Sequence, residues 1–382
     1  MKRVLLIAQV FLWDDGDGVS QKFFSQAKAF TKLGACVDCI GYDQDRILLC
    51  AFADSGYSLR QVLGHFETPK LKRFSFWNSV SRYIRQADYD LVYIRYPSLD
   101  FSFLSTLRHL RKHCRRVVME VPSFPLVHPR AGFFSSVQFW LDRLLQPKCK
   151  HYMDRILYIG NPVQSVFGCP SVLIPNGIPE RIRSLPSTGF SHCVDAVDMI
   201  CVSNMYPAHG YDRLIHGLGE YYSHHPSPRK VNLIMVGDGP CRHNYEALAD
   251  TYHVTDHIRF MGPLRGDALT AAYRSAVVGL GSLAVFRKGY TASSSLKTKE
   301  YLIRGLPFVY AGTEIGLDAD FPFAFQIPND EQPVSIEAIL DFVDSYSSLS
   351  SETVAAQMRS YAEEHFSWET ILLNACGEYL SE

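Results

Sequence analysis

Residues 293–307 read SSSLKTKEYLIRGLP: a run of small residues, a stretch opening on lysines and a glutamate, and a Gly-Leu-Pro stop. A small-residue turn lets backbone N–H groups approach a ligand closely, and the first turn of a helix adds the positive end of its dipole. Lys297 brings a full charge to that point, and Glu300, one turn on, offers a carboxylate to a pair of hydroxyls. That layout suits a diphosphate at the helix start and a ribose diol one turn in. The same string also describes a capped surface helix with an i,i+3 Lys–Glu pair, so its surroundings must decide between the two.

Working outward, the stretch follows VVGLGSL (277–283) and precedes PFVYAG (307–312). Further upstream come DMICVSN (198–204), the helical pattern YDRLIHGLGEYYSHH (211–225), VNLIMVGDGP (231–240), HIRFMGPL (257–264) and DALTAAYRSA (267–276). Short apolar runs alternating with helical periods predict a parallel sheet wound on both faces. The first half repeats the scheme, with strands VLLIAQVF, ACVDCIGY, DLVYIRY, RVVMEV and RILYIG. Its helical candidates are SQKFFSQAKAFTKLG, FSFLSTLRHLRKHC and FSSVQFWLDRLLQP. Between the halves, ERIRSLPSTGFSHCVDAV (180–197) lacks periodicity and reads as a linker. The final stretch from Ser351 reads as two consecutive helices. The expected fold class is therefore α/β, two doubly wound Rossmann-like domains facing across a cleft at their strands' carboxyl ends.

At 382 residues, with 47% hydrophobic and 20% charged residues, the chain is an ordinary multidomain globular protein. The apolar run at the N-terminus is too short for a membrane span and lacks a cleavage-type ending, so it reads as a buried first strand. Ten cysteines without a secretory signal imply free thiols and a cytoplasmic setting. Cys36 and Cys39 form a CxxC inside a strand pattern, with no second pair to make a metal site. The net charge of −1 conceals an asymmetry: residues 1–180 hold 23 Lys+Arg against 15 Asp+Glu, and residues 181–382 hold 15 against 24. A basic half and an acidic half imply different partners.

In VNLIMVGDGP, Gly237 just past a strand permits close backbone approach to a ligand, with Asp238 and Gly239 following and Pro240 suited to a helix start. A plain strand-to-helix turn is the simpler reading. DDGDG (14–18) occupies the corresponding place after the first strand. Its three acids would repel phosphate, and the Asp15-Gly16-Asp17 triplet is weak evidence for a metal.

The order of elements resembles the GT-B glycosyltransferases, and within them the large retaining group called family 4. The residues that carry the resemblance are the glycine loop before the first helix, IPNGI (174–178), VGDGP (236–240), IRFMGPL (258–264), KTKEYLIRGLP (297–307) and FSWE (366–369). HGYDRLI (209–215) and SLKTKEYLIRGLP look most like bacterial transferases that build capsule or exopolysaccharide. The resemblance implies an acceptor-side domain over 1–178, with a C-terminal helix at 366–382 packing back on it, and a donor domain over 179–365. It implies that Glu300 binds the ribose diol, and that Ser293, Ser294, Ser295, Leu296 and Lys297 hold the diphosphate. Gly262, Pro263 and Leu264 match the segment beside the base, and Gly18 matches a glycine that closes over the donor.

Three positions depart from the family. Ala292 stands where many relatives place a sugar-binding glutamate. The Arg and Lys pair that neutralises the diphosphate falls at Asn204 and His209. The N-domain histidine is absent, its strand end reading Glu120-Val121-Pro122-Ser123. Lys297 is then the expected source of charge, with His209 a hydrogen-bond donor to phosphate. Glu120 is either an acid that orients or deprotonates the acceptor hydroxyl, or a structural cap. The expected reaction is retaining transfer from a UDP-sugar to a surface-glycan or lipid-linked acceptor, with no metal or other cofactor. Segments 70–86, 107–116 and 130–150 interleave cations with aromatics, which suits peripheral attachment to an anionic membrane; no nucleic-acid module is evident. The rival readings are a sugar-nucleotide epimerase of the same architecture and a non-catalytic glycan- or partner-binding paralogue.

Overall fold

Strand β1 (Arg3–Phe11) is buried from Val4 through Ala8, as its unbroken apolar run requires of a strand covered on both faces. The computed structural model describes residues 1–14, 16–68, 71–126, 133–191 and 196–381, with side chains in the helix that starts at 133 described from 136 onward. The chain divides into two units: Met1–Arg181 with Ser367–Glu382, and Ile182–Phe366.

In unit 1, β1 is followed by α1 (Gly18–Lys32), β2 (Cys36–Asp43), β3 (Arg46–Ala53), β4 (Gly56–His65), α2 (Lys72–Ile84), β5 (Tyr89–Arg95) and α3 (Phe101–His113). Then come β6 (Cys114–Phe124), α4 (Phe133–Leu145), β7 (Arg155–Gly160) and β8 (Ser171–Leu173). The sheet order is β4-β3-β2-β1-β5-β6-β7-β8. It is parallel from β2 to β8, but β3 and β4 run antiparallel as an edge hairpin. The wholly parallel sheet expected from sequence is corrected here: Asp54-Ser55-Gly56 is a tight turn, and a hairpin needs no crossover helix. Helices α2 and α3 cover one face, where Trp77, Val80, Phe103 and Leu107 join Leu5, Val92 and Val117 in one core. α1 packs on β1 and β2 and against α12 (Trp368–Ser381), which returns to this unit.

Of the three basic segments, Lys70 and residues 130–132 lie outside the described residues. In 107–116, Arg111 and Arg116 pair with Asp154 and Arg115 pairs with Asp90, so these cations are matched by acids rather than free. Phe74 on α2, Phe101 on α3 and Val137, Trp140 and Leu144 on α4 are exposed.

Unit 2 comprises β9 (Ala196–Val202), α6 (Tyr211–His224), β10 (Lys230–Val236), α7 (Arg242–Thr251), β11 (Ile258–Gly262), α8 (Gly266–Ser275) and β12 (Val278–Leu280). It continues through β13 (Ala292–Ser293), α9 (Leu296–Arg304), β14 (Phe308–Ala311), β15 (Thr313–Glu314), β16 (Ala324–Ile327), α10 (Ile336–Tyr346) and α11 (Ser351–Phe366); α5 (Glu180–Arg183) is the short helix at the junction of the units. The main sheet is parallel, in the order β11-β10-β9-β12-β14-β16. Winding reverses between β9 and β12, and a crevice at the strands' carboxyl ends opens at such a point. Gly237, at φ 116°, is required there: a Cβ would sit 2.0 Å from the Ser203 carbonyl oxygen. The glycine of VGDGP thus seats one loop on its neighbour.

Trp368 joins the start of α12 to the IPNGI segment, since a Cβ on Gly177 would lie 2.6 Å from its ring. Because that ring is buried at 2% exposure, Trp368→Ala is expected to lower unfolding free energy by about 3–5 kcal/mol. Urea melts of the full chain check this, and a loss below about 1 kcal/mol contradicts it.

Candidate active site

Helix α9 begins where Ser295 N-caps it, its hydroxyl accepting from the Lys297 amide at 3.2 Å, and it stops at Gly305 in the left-handed region. Its inner face buries Lys299, Tyr301, Leu302 and Ile303. The Tyr301 hydroxyl donates to the Leu280 carbonyl at 2.8 Å, fixing the helix beneath the end of β12. Lys299, at 0% exposure, donates to Glu314 at 2.5 Å and lies 4.0 Å from the centre of the Phe366 ring. Burial pushes the Lys299 ammonium down and the Glu314 carboxyl up, and each holds the other's charge in place.

Glu314 also accepts from the Ser295 amide at 3.0 Å. Two amides of the expected cradle, those of Ser295 and Lys297, are therefore engaged by the protein itself. Ser293 is paired with Glu314 in the β13–β15 ladder, and its carbonyl accepts from Ile315 at 2.8 Å. Ser294 is buried, Leu296 exposed, and Ala292 buried within the same ladder.

Glu300 does not pair with Lys297. It accepts from Arg304 at 2.9 Å and from the Tyr273 hydroxyl, while the Arg304 guanidinium lies 4.1 Å from the centre of the Tyr273 ring. The carboxylate is thereby oriented yet remains part-exposed. Lys297, on the same turn, forms no ion pair among the described residues. Its ammonium donates to the Tyr211 hydroxyl at 3.2 Å, at the start of α6 beside the winding reversal. Burial, with Lys288 adding like charge, lowers its pKa to about 7.

His209, expected as a hydrogen-bond donor to phosphate, brings no charge to the site. Burial, then the nearby cations Lys297 and Lys288, pushes the imidazole down to about 3, so it is neutral at ordinary pH. Its Nδ1 accepts from the Tyr206 amide at 3.3 Å, and the ring bonds to the Asn204 backbone. His209 thus shapes the loop after β9, on which Asn204 is exposed. Gly237 donates its amide to the Gly262 carbonyl at 2.8 Å, and Met205 donates to the Asp238 carbonyl at 2.7 Å. These bonds join the loops after β9, β10 and β11, with Pro263 exposed and Leu264 half-buried beyond Gly262. The exposed Asp238 carboxylate accepts from Gly239 at 2.8 Å.

Glu120 is not poised toward a ligand. At 0% exposure it faces Lys22 at 2.5 Å and accepts from the Tyr93 hydroxyl at 2.7 Å and from the Gln26 amide, with Arg95 at 3.7 Å. Burial opposes its ionisation, but Lys22, Arg95 and these hydrogen bonds outweigh that effect and hold it at about 2. A carboxylate so stabilised is a poor proton acceptor. Lys22 in turn donates to Asn176 of the IPNGI segment at 2.8 Å and lies 5.1 Å from the Trp368 ring centre. Glu120 thus fastens α1 to the sheet. Asp17 caps α1 by accepting from Ser20 at 2.9 Å, Asp14 accepts from Gly16 at 2.9 Å, and Asp15 lies outside the described residues. Gly18 opens α1 with free space around its Cβ direction.

Sequence reasoning missed Tyr211, Lys288, Glu314 and the Lys22–Tyr93–Gln26 set. Only Tyr211 carried a signal, lying two residues past His209 on the quoted HGYDRLI. What unit 2 offers chemically is an unmatched cation beside a fixed, part-exposed carboxylate at a winding reversal. Such a place accepts an anion with hydroxyls one helical turn away.

Residues 196–321 match the family described as Glycosyl transferases group 1. No curated protein matches the chain. Among solved structures, sucrose-phosphate synthase from Thermosynechococcus elongatus superposes with a TM-score of 0.62 at 16% identity, covering 100% of this chain and 99% of that one. A glycosyltransferase from Rickettsia africae gives 0.62 at 12%, covering 100% and 98%. Anabaena HepE in complex with UDP gives 0.59 at 15%, covering 100% of both chains. At these identities the likeness establishes the fold, GT-B.

Glu120→Gln, which leaves Lys22 buried without its counter-charge, is expected to destabilise the protein by about 3–5 kcal/mol. The carboxylate's contribution is fully present above pH 4.5 and fades as pH falls toward 2. The gap between wild type and variant in urea melts should therefore narrow from pH 6 to pH 3. A gap that widens over that range contradicts this account.

Proposed function

We propose that this protein, a glycosyltransferase with a group 1 region on a GT-B fold, transfers a sugar from a nucleoside diphosphate donor bound in unit 2. The observation that carries the reading is the contrast between Lys297 and Glu300 on one turn of α9. Lys297 has no acid partner among the described residues and faces the winding reversal, while Glu300 is oriented by Arg304 and Tyr273. A diphosphate supplies the missing counter-charge, and a ribose diol meets the fixed carboxylate. Anabaena HepE was solved with UDP and with UDP-glucose, which favours a uridine donor, with guanosine second. Lysine and remaining helix-end amides neutralise the diphosphate without a metal.

The reaction retains anomeric configuration, with the leaving phosphate taking the acceptor proton. That route needs no protein base, so the structural role of Glu120 is compatible with activity. The acceptor is a surface-glycan or lipid-linked saccharide reached at the cytoplasmic face of a membrane. Exposed Phe74, Phe101, Val137, Trp140 and Leu144 of unit 1 support surface attachment. No described helix is long and apolar enough to cross a membrane.

A thermal-shift screen of UDP, GDP, ADP and their sugars tests the donor assignment. A ligand at 100 times its Kd stabilises by about 2.7 kcal/mol, and Glu300→Ala should weaken the best binder about tenfold or more. Absence of any response sinks the reading. Binding without acceptor-dependent release of nucleoside diphosphate points instead to a non-catalytic paralogue, and isomerised donor without acceptor points to an epimerase.

The charge on Lys297 also sets a pH dependence. The free ammonium loses its proton above about 7, so affinity for the nucleoside diphosphate should fall as pH rises from 6 to 8.5. Lys297→Arg, always protonated, should flatten that profile in calorimetric titrations; an equal slope in both proteins removes Lys297 from the contact.

A further inference from the structure

Lys288 ends the short turn Val285–Lys288 that follows β12, and Gly289 caps it in the left-handed region. This turn packs on the matching turn Pro207–His209 after β9. Leu283 donates its amide to the His209 carbonyl at 2.9 Å, and Arg287 donates to the Pro207 carbonyl at 2.9 Å. The packing is close: a Cβ on Gly210 would lie 2.7 Å from that of Ala284. The turn that carries Lys288 thus sits against the loop after β9, where the His209 and Tyr211 rings lie 5.7 Å apart and the Tyr211 hydroxyl accepts from the Lys297 ammonium at 3.2 Å.

Adjacent residues of this turn have opposite fates. Arg287 is saturated by Asp212 and Glu331. Lys288 is exposed and makes no ion pair among the described residues. Several other cations of this unit are matched: Arg213 by Asp330, Arg229 by Asp344, Arg242 by Glu246, Arg304 by Glu300, Lys299 by Glu314. Lys288 and Lys297 stay unmatched, although they are near enough to act on each other and on His209. Two like charges so placed raise the energy of the empty site, and an anion of charge two or more relieves it. Asp212 and Glu331 both pair with Arg287, and Lys288 has no carboxylate partner among the described residues.

We propose that Lys288 is a second donor-binding residue, forming with Lys297 a two-cation seat for the diphosphate in place of the charges absent at Asn204 and His209. The inference rests on the donor reading above and adds to it a residue that the family's motifs do not mark. Negative charge on the diphosphate grows as the sugar departs, so the pair stabilises the leaving group more than the bound donor.

Calorimetric titration of wild type, Lys288→Ala, Lys288→Arg, Lys297→Ala and Lys230→Ala with UDP, GDP, ADP and the parent nucleosides tests this. Lys230 is an exposed lysine at the start of β10, at the opposite end of the strands, and controls for removal of one charge. Lys288→Ala is expected to weaken the best nucleoside diphosphate about tenfold, and to leave its nucleoside within about twofold. Lys288→Arg should keep most of the affinity, and Lys230→Ala should match wild type. If Lys288→Ala behaves like Lys230→Ala while Lys297→Ala weakens binding, this inference alone falls. If wild type binds none of the nucleoside diphosphates, the donor reading falls with it.

Discussion

A lysine at 0% exposure persists only with a carboxylate against it, and the Lys299–Glu314 pair is the constraint on which the unit 2 site depends. By drawing one side of α9 onto β15, it decides where the rest of that helical turn points. Lys297 is swung toward Tyr211 and the winding reversal, and Glu300 toward Tyr273 and Arg304. Three charges within four residues thus have three different fates, each set by its partner. Glu314 also binds the Ser295 amide, so the fixed charge that anchors the helix competes for one of the groups an anion would use. The recognition load falls on side-chain cations to that extent.

What was legible in the sequence follows from how burial writes itself into a chain. Strands covered on both faces, such as VLLIAQVF and VNLIMV, are continuous apolar runs and stand out. Two strands were missed: β3, RILLCAFA, which is mostly buried and apolar, and β4, GYSLRQVLGH, which is mostly exposed and carries mixed polarity without a clean period. On α9, the helix, its stop and the spacing of Lys297 from Glu300 could be read directly. Their partners could not: Arg304 and Lys297 compete for Glu300 at equally plausible helical spacings. Glu314 is fifteen residues from Lys299, beyond any periodic signal. Glu120 shows the same limit. An acid ending a buried strand is visible, but whether it faces a ligand or the underside of a helix depends on which helix covers that face.

Counting charges proved a poor guide to which charges are free. The cationic run 107–116 is the densest in unit 1, yet Asp154 and Asp90 answer three of its arginines. In the acid-rich second half, Lys288 and Lys297 go unanswered among the described residues, close to one winding reversal. Functional electrostatics resides in such local mismatches, because a matched surface pair contributes little.

Because residues 367–381 belong to unit 1 while 182–366 form a unit of their own, order of synthesis matters. A ribosome must translate all of unit 2 before α12 can reach α1. Until then, Lys22 lacks the Trp368 ring and Gly177 its packing partner. Domains generally fold as they emerge, but here the first to emerge is the last to be completed. Until α12 arrives, the face of α1 that it covers stays open.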